Sequence, residues 1–442
     1  MKPSPLLIRL LLIAALCALA VSAARIWWPS AAGLLTSAWW LGMGALALAS
    51  ALDFATGRHC DGLTGQRTLP GNLALGVEQE IQLDLENRGS RTLSLLLTDQ
   101  VPAELRGRDL PLQIHLTPEQ EICTRYRATP VRRGMAAFGH LEALVSSPWH
   151  LWQRRVLFGE AQDVRVYPNF LGISSLQALS TEQSLRYMGV HQQQRRGEGL
   201  DFRQLREYRR GDSQRQVDWR ASARMQKLIS REYQDERDQE IIFLLDCGRR
   251  MRTRDGDLSH FDHALNALLL SAYVAIRQGD AVGLQCFAGD HSRLPPVKGE
   301  GAINLLLNHV YDLHSGTSHS DYTAAAEQLL ARQQRRALVI LLTNVRDEDS
   351  EDLTAAVQQL SRHHLVMVAC LRERALDELL EKPVADFDDA LMHGAGKDFV
   401  QRRDRLLQQL RARNTILADA LPSAMHMSLV ETYWQLKRSG RL

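Results

Sequence analysis

Residues 241–246 read IIFLLD, a continuous apolar run that ends in an aspartate. Parallel strands covered by helices on both faces have such runs, because neither face meets water. Similar runs recur at Ala281–Phe287, Ala337–Leu342 and Leu365–Cys370. Stretches with apolar residues at helical spacing separate and follow them, at His260–Gln278, Ala302–Leu313, Tyr322–Arg335, Glu351–Ser361, Lys397–Arg413 and Met427–Arg438. This alternation predicts a doubly wound α/β domain over residues 241–442.

The carboxyl ends of these predicted strands are where a doubly wound sheet binds ligands. Asp246 and Asn344 each stand at such an end, and Ser320, Asp321 and Thr323 lie in or near a loop within reach of them. Oxygen ligands in this arrangement would suit a divalent cation.

Two apolar stretches open the chain, at about Leu6–Ala24 and Ala31–Leu52. The second has no charged residue and is long enough to cross a hydrocarbon core of ~30 Å. Residues 1–55 are therefore predicted to form a transmembrane hairpin. The first stretch also resembles a signal peptide, with a basic start and small residues at its end. If it were cleaved, the second stretch would remain as a single membrane anchor.

Basic residues predict the orientation of this hairpin. Lys2 and Arg9 precede or open the first span, Arg58 and Arg67 follow the second, and only Arg25 lies between them. The positive-inside rule then places the N-terminus and the large soluble portion in the cytoplasm. The expected location is the cell (inner) membrane, with two spans.

Residues 70–167 show apolar side chains at every second position, which is typical of half-buried strands. The alternating sets are Ile81, Leu83 and Leu85; Leu112, Ile114 and Leu116; Ile122, Thr124 and Tyr126; and Leu141, Ala143 and Val145. Short strands separated by turn residues predict a small β-sandwich-like domain. Nothing in this region resembles a catalytic motif.

Residues 168–240 form a basic connector in which arginines alternate with carboxylates and a few aromatic residues. Three interpretations stay open. The connector could be a solvated helical surface with local ion pairs, a nucleic-acid site, or a docking surface for an acidic protein. The interspersed carboxylates argue against nucleic acid, because they repel phosphates.

Other signals are weak. The six cysteines are scattered singly, and the net charge is +2 with His neutral, so neither a disulfide framework nor a nucleic-acid partner is indicated. The sequence has no GxxxxGK[ST], GxSxG or HExxH motif. His314 and His319 lack a third ligand, and His363-His364 is interpreted as a surface feature.

Two stretches carry a family resemblance. Residues 197–233, GEGLDFRQLREYRRGDSQRQVDWRASARMQKLISREY, and residues 129–155, TPVRRGMAAFGHLEALVSSPWHLWQRR, resemble the domain of unknown function 58 family. The resemblance implies a von Willebrand factor A-like fold and association with a MoxR-type AAA+ ATPase. The connector residues expected to bind that partner are Arg206, Tyr208, Arg209, Arg210, Asp212, Arg215, Asp218, Trp219, Arg220 and Arg224.

The usual metal site of that fold is degenerate in this sequence. An Asp-x-Ser-x-Ser motif becomes Asp246, Gly248 and Arg250, the hydroxyl of a second loop is Ser320, and the third-loop aspartate becomes Asn344. Because oxygen ligands and a negative charge are lost, we predict weak or no Mg²⁺ binding and no cofactor. A competing interpretation is that Asp246 pairs with Arg250 or caps the next helix.

The expected function is that of a membrane-anchored, non-enzymatic interaction or adaptor protein. It would work with a MoxR-type AAA+ ATPase in the assembly or maturation of a client complex. Alternatives are a membrane-associated hydrolase that uses Asp246 as its nucleophile, and nucleic-acid binding through the connector. The sequence identifies neither the client nor a small-molecule substrate.

Overall fold

The computed structural model describes residues 1–27, 29–57, 62–169, 201–209, 214, 217–234, 239–289, 291–299, 301–413 and 415–442. The chain forms two compact units, Met1–Val166 and Tyr167–Leu442. The first contains two apolar helices and antiparallel sheets, and the second is a mixed α/β unit.

Two apolar helices begin the first unit, α1 (Pro5–Trp27) and α2 (Pro29–Thr56). Segments of mean hydropathy 2.6 and 1.4 make both long and apolar enough to cross a membrane. The indole Nε1 of Trp39 donates to the Ala14 carbonyl at 3.0 Å, which ties the two helices together. The two predicted apolar helices are therefore confirmed.

Short antiparallel strands make up the rest of this unit. Their ranges are β1 (Lys2–Pro3), β2 (Leu63–Thr68), β3 (Asn72–Ala74), β4 (Gln79–Asn87), β5 (Leu93–Asp99), β6 (Leu105–Arg108), β7 (Leu112–Leu116), β8 (Glu121–Pro130), β9 (Gly134–Phe138), β10 (Leu141–Ser146), β11 (Trp152–Phe158) and β12 (Gln162–Tyr167). They form sheets with the orders β1-β11-β10-β5-β7, β2-β4-β8-β6 and β3-β12-β9. The first soluble strand, β2, begins upstream of the predicted start at residue 70.

Alternation along these strands builds the core of the unit. Ile81, Leu83 and Leu85 are all fully buried, as the period-two pattern predicts.

The two larger sheets are joined by a buried ion pair. Arg67 on β2 donates to Asp99 on β5 at 2.9 and 2.5 Å, and the Tyr126 hydroxyl donates to the same carboxylate at 2.5 Å. Arg67 therefore serves this core and carries no information about membrane orientation. Arg58, its predicted companion in the orientation argument, lies outside the described residues.

The helical hairpin is joined to the same sheets at both of its outer ends. At the start of α1, strand β1 pairs with β11, and the Ser4 amide donates to the Leu151 carbonyl at 2.9 Å. Near the end of α2, the buried Asp53 carboxylate accepts from the Ser147 hydroxyl and from the amides of Trp149 at 2.9 Å and Leu151 at 3.1 Å. The N-terminus and the antiparallel sheets thus lie at the same end of the hairpin.

The second unit contains strands β13 (Asp201–Glu207), β14 (Ile229–Gln234), β15 (Glu240–Asp246), β16 (Arg254–Asp255), β17 (Leu258–Ser259), β18 (Ala281–Phe287), β19 (Arg293–Val297), β20 (Leu338–Thr343), β21 (Leu365–Leu371) and β22 (Ile416–Ala420). Its helices are α3 (Trp219–Met225), α4 (His260–Arg277), α5 (Ala302–Val310), α6 (Tyr322–Arg332), α7 (Ser350–Leu360), α8 (Arg374–Glu381), α9 (Phe387–Ala412) and α10 (Met425–Arg438). Single turns of 3₁₀ helix lie at Arg249–Arg252, Asp347–Asp349 and Pro422–Ala424.

A six-stranded sheet of order β19-β18-β15-β20-β21-β22 is the centre of this unit. All neighbours in it are parallel except the edge strand β19. Phe243 and Leu245 face a core shared with α4, α5 and α10, and Ile242 and Leu244 face one shared with α6, α7 and α9. Helices on both faces explain the continuous apolar runs. The predicted mixed α/β class is therefore confirmed.

The signature element, which we define as described residues 201–209, 214 and 217–234, is a β-hairpin with a short helix. Strand β13 pairs antiparallel with β14, and α3 packs beside β14. The interpretation of this segment as a helical surface is thus wrong for the strands β13 and β14 and right only for the short helix α3. The strands β13 and β14 could not be predicted from the sequence, because both are rich in charged residues. Alternation with a period of two residues is detected only where apolar residues mark one face of a strand.

Candidate functional site

Asp246 ends β15 at the carboxyl edge of the six-stranded sheet and is 0 % exposed. Its Oδ1 accepts from the Gly248 amide at 2.8 Å and from the Ser320 hydroxyl at 2.7 Å. Its Oδ2 accepts from the Thr343 hydroxyl at 2.7 Å. The fold therefore does bring Ser320 to Asp246, as the sequence predicted, and three neutral donors hold the carboxylate.

Thr343, which completes this set, was not predicted. It ends β20 directly before Asn344, and its hydroxyl also lies 2.9 Å from the hydroxyl of Tyr322. Parallel pairing of β15 with β20 brings the two strand ends together. The sequence could have predicted Thr343, because a hydroxyl residue ends the apolar run LVILLT where the parallel neighbour of that strand ends in Asp246.

The Arg250 guanidinium turns away from Asp246. It is buried, donates to Glu348 at 2.8 Å and to Asp349 at 3.1 Å, and the predicted pair between Asp246 and Arg250 is therefore wrong. The Asp246 carboxylate instead accepts from the Gly248 amide, directly before the turn Arg249–Arg252. Glu348 and Asp349 together offer the guanidinium two charge-assisted hydrogen bonds, whereas the Asp246 carboxylate already accepts from three other donors.

Gly248 is closely surrounded. A Cβ at this position would lie 2.4 Å from the Ser320 hydroxyl oxygen, 3.0 Å from Asp246 Oδ1 and 3.0 Å from the Ser318 carbonyl. A serine, which the metal-binding version of this motif has here, does not fit without movement of Ser320. The glycine lets the Ser320 hydroxyl approach the carboxylate directly.

Asn344 points away from Asp246 as well. Its Nδ2 donates to Glu373 at 3.0 Å and lies 3.3 Å from His260 Nδ1. Arg346 donates to the same Glu373 oxygen at 2.7 Å. Asn344 is therefore part of a second polar cluster, next to the one around Asp246.

The other residues predicted for this edge have local roles. Asp321 caps α6 by accepting from the Ala324 amide at 2.8 Å, and the Thr323 hydroxyl donates to Asp352. His319 lies 3.4 Å from Asp349, whereas exposed His314 lies 3.7 Å from Asp312.

His364 differs from the surface feature that its sequence predicted, because its side chain is buried while His363 is exposed. Burial lowers the pKa of His364, so its neutral form is favoured.

The electrostatics of the Asp246 cluster follow from burial. Desolvation raises the pKa of Asp246, and the bonds from Thr343, Ser320 and Gly248 oppose that rise. Arg250 also lowers it, but only as the smallest of these effects. At the neighbouring cluster, bonds from Asn344 and Arg346 outweigh desolvation and lower the pKa of Glu373.

The residues at this edge do not fit a divalent cation. Both Asp246 oxygens already accept hydrogen bonds, a Cβ at Gly248 would clash, and Asn344 faces another cluster. Among the described residues, no group of three or more His, Cys, Asp or Glu side chains could hold a metal ion. Weak or absent Mg²⁺ binding therefore stays a prediction, now with a geometric reason.

The signature element is held together by two side chains. Asp218 accepts from the amides of Arg220 at 3.0 Å and Ala221 at 2.9 Å, which caps α3, and pairs with Arg231 at 2.9 Å. The Ser222 hydroxyl donates to the Asp218 carbonyl at 2.7 Å and accepts from the Ile229 amide at 2.8 Å. The backbone bond from Ala221, followed by Arg231, lowers the pKa of Asp218.

The outer surface of this element is apolar as well as basic. Trp219 is 69 % exposed, Met225 61 % and Leu228 52 %. Arg220 and Arg224 lie exposed on the same short helix as Trp219.

The predicted partner-binding residues on β13 and just after it are less uniform. Arg206 and Tyr208 are half-buried and Arg209 is exposed. Arg210, Asp212 and Arg215 lie outside the described residues. Met225 and Leu228 were not predicted, because single apolar residues do not stand out in a segment dense in charge.

Comparison with known proteins finds one family model that matches part of the chain. The sequence model described as "Protein of unknown function DUF58" matches residues 204–409, which include most of the signature element and much of the sheet. The predicted resemblance to this family is therefore confirmed over this part of the chain. No curated protein gave a significant match.

Three solved structures that match this chain resemble a small part of it. Salmonella alpha-2-macroglobulin, the ASH/PapD-like domain of human CEP192 and the CARDB domain of the Pyrococcus furiosus PF1109 protein are 17, 17 and 18 % identical to it. Each covers 24 % of this chain, with a TM-score of 0.19, and the matches span 7, 84 and 91 % of those chains. Likenesses this slight carry no inference about function.

Proposed function

We propose that this protein is a membrane-anchored, non-enzymatic interaction protein that works with a MoxR-type AAA+ ATPase on a client complex. The observation that carries the proposal is the exposed apolar and basic surface of the signature element. Trp219, Met225 and Leu228 form the apolar part, and Arg220 and Arg224 contribute the charge. Large apolar side chains left in water on a folded element are typical of interaction sites.

The type of partner follows from the family resemblance and from this surface. The chain has no phosphate-binding GxxxxGK[ST] loop, so ATP-driven work would come from another protein. Aromatic residues, methionine and arginine are the residues enriched at protein interfaces. A complementary partner would offer apolar pockets with acidic residues around them.

Membrane anchoring by α1 and α2 is the second part of the proposal. Both outer ends of the hairpin join the antiparallel sheets through β1 and Asp53, which supports placing the N-terminus and the soluble portion on one side. Lys2 and Arg9 support the cytoplasm as that side. We infer the cell (inner) membrane as the location.

A von Willebrand A-like fold for the second unit is the third part. A mainly parallel six-stranded sheet with one antiparallel edge strand and helices on both faces supports it. In this interpretation, the Asp246 cluster stands where that fold binds its metal ion. The burial of Asp246 and its three donors argue against use of this carboxylate as a hydrolytic nucleophile.

The proposal is tested by purification of the intact chain from its native membrane with a slowly hydrolysed nucleotide, followed by mass spectrometry. We expect a MoxR-type ATPase to be retained by the wild type. Combined Trp219→Ala and Met225→Ser should reduce its recovery about tenfold or more, because both side chains belong to the proposed contact. Charge reversal of Arg206 and Arg209 to Glu should also weaken it.

The matched control replaces exposed apolar residues elsewhere in the same unit, Phe387→Ser and Leu391→Ser on α9. This variant should retain the ATPase. Loss of the ATPase from the control but not from the Trp219 variant would assign the contact to α9. Absence of any such ATPase from the wild-type sample would overturn the proposed partnership.

A further inference from the structure

An open cleft of about 510 Å³ lies in the first unit, where α2 ends against the antiparallel sheets. Its lining combines the end of the helix, the start of β5 and the turn after β10: Thr56, Gly57, Arg91, Thr92, Leu93, Ser146, Ser147, Pro148 and Trp149. Its volume is within the range of small-molecule sites. Hydroxyl groups, one guanidinium and one indole are among the groups that line it.

The position of this cleft relative to α2 is fixed by the turn at residues 147–151. Asp53, three residues before the end of α2, accepts from the amides of Trp149 and Leu151 and from the Ser147 hydroxyl. The Trp152 indole donates to the Ser50 carbonyl at 2.9 Å. If α2 crosses a bilayer, as proposed above, its end at Thr56 and the adjoining cleft lie at the level of the lipid headgroups.

Arg91 supplies the charge. Its guanidinium donates to the Thr56 carbonyl at 2.9 Å, and among the described residues no carboxylate lies within ion-pair distance of it. Arg88, in the same turn, differs because it pairs with Glu86 at 2.8 Å. A guanidinium has five N–H donors in a planar fork, so most of those on Arg91 remain for a phosphate.

Trp149 also lines the cleft and is 55 % exposed. Its backbone amide is bonded to Asp53, so the residue is held beside the end of α2. Tryptophan at the end of a membrane span prefers the headgroup region, where its ring is amphipathic. The Asp53 carboxylate itself is buried and is not part of the cleft lining.

We propose that this cleft binds the phosphate-bearing headgroup of an anionic phospholipid, with Arg91 as the counter-charge and Trp149 beside the glycerol region. The inference rests on the membrane anchoring in the proposed function and is independent of the ATPase partner. Such a site would fix the height of the antiparallel sheets above the bilayer, because one bound headgroup contacts both the helix end and the sheet.

The test compares lipid retention by the full-length chain in detergent mixed with phosphatidylglycerol or phosphatidylcholine, measured by native mass spectrometry. We expect the wild type to retain phosphatidylglycerol in preference to phosphatidylcholine. Arg91→Gln should retain about fivefold less phosphatidylglycerol, the effect of one cation near an anionic lipid surface. Arg91→Lys, which keeps the charge, and Arg88→Gln, the matched control, should resemble the wild type.

Two results would overturn the inference. One is equal retention of phosphatidylglycerol by Arg91→Gln and the wild type. The other is displacement of the bound lipid by millimolar glycerol phosphate or inorganic phosphate, which would make a soluble phosphate the ligand. Alkaline carbonate extraction of native membranes tests the membrane anchoring separately. If α1 and α2 do not anchor the chain, carbonate releases both the wild type and Arg91→Gln. If they do, both stay in the membrane, and the lipid-retention results then concern the cleft alone.

Discussion

The two ends of the six-stranded sheet each bury an aspartate, and the two carboxylates have different partners. At the amino end, Asp280 precedes β18 and accepts from Lys437 at 2.7 Å and from Tyr433 at 2.6 Å, both on α10. At the carboxyl end, Asp246 has only an amide and two hydroxyls, while Arg250 is paired elsewhere. One carboxylate has a counter-charge at hydrogen-bond distance and the other does not.

The two carboxylates therefore differ in how far an ion pair explains their burial. A buried ion pair that joins the last helix to the sheet explains Asp280 completely. Asp246 has no element to join by charge, and neutral donors close around it at the edge where related folds bind ligands. If the second unit has the von Willebrand A-like fold proposed above, this cluster stands at the ion site of that fold, with hydroxyls in place of the cation.

Removal of the counter-charge at the amino end should have the largest effect. Lys437→Met leaves the Asp280 carboxylate buried without its cation, which costs about 3–5 kcal/mol. We expect a marked fall in the thermal midpoint of the intact chain in detergent. Lys397→Met, at an exposed position of α9, is the matched control and should leave the midpoint unchanged. Equal midpoints for the two variants would show that the pair contributes little.

At the carboxyl end, Gly248→Ser tests how closely the cluster is packed. The new Cβ would lie 2.4 Å from the Ser320 hydroxyl, and we expect a cost of about 1–3 kcal/mol. Addition of Ser320→Ala should recover part of this loss by removing the clashing oxygen, although Ser320→Ala alone is itself destabilising. If Gly248→Ser is as stable as the wild type, the cluster has room for the serine of a metal site.

The charge on Asp246 itself should show as a pH dependence. Because burial raises the pKa of Asp246 above its ordinary value of 3.8, the folded chain binds this proton more tightly than the unfolded chain. The contribution of Asp246 to the free energy of unfolding is therefore fully present below the pKa that this carboxyl has in the unfolded chain. It is lost as the pH rises through the pKa that the carboxyl has in the folded chain. Asp246→Asn has no such loss, so its stability should rise relative to that of the wild type as the pH rises.

Thermal midpoints of the wild type and Asp246→Asn across pH 4–8 measure that difference. Thr343→Val, which removes one donor from the carboxylate, should steepen the pH dependence of the otherwise wild-type chain. A constant difference between wild type and Asp246→Asn would mean that the carboxyl does not titrate differently in the folded and unfolded chains.

Much of the sheet could be predicted from apolar runs, and the observed range of β18 equals the predicted one, Ala281–Phe287. The strand β19 was missed because it contains Pro295 and Pro296, which mark a segment as an edge strand or no strand at all. The strand β22 was missed because Asp419 interrupts its short apolar run.

The candidate site was only partly predictable for a different reason. The positions of Asp246 and Ser320 follow from strand ends and loops, but which way a side chain turns depends on competing partners. Arg250 turns to Glu348 and Asp349, and Asn344 turns to Glu373, all of them distant in sequence. In the signature element, charged and aromatic residues predicted a surface that includes Trp219, but they gave no information about the exposed Met225 and Leu228.

The smallest effect is expected from Mg²⁺ itself. An ion bound with a Kd of ~1 mM would stabilise the fold by about 1.4 kcal/mol at ~10 mM. We expect no such rise in the thermal midpoint, because the Asp246 oxygens are already bonded to Ser320 and Thr343. Asn344→Asp restores the missing carboxylate in the sequence but should respond no better, since Asn344 faces Glu373 and His260. A Mg²⁺-dependent rise in the thermal midpoint of the wild type that Asp246→Asn abolishes would show that the hydroxyl cluster opens to admit the ion. The carboxyl end of the sheet would then hold a working ion site, and the amino end a fixed ion pair.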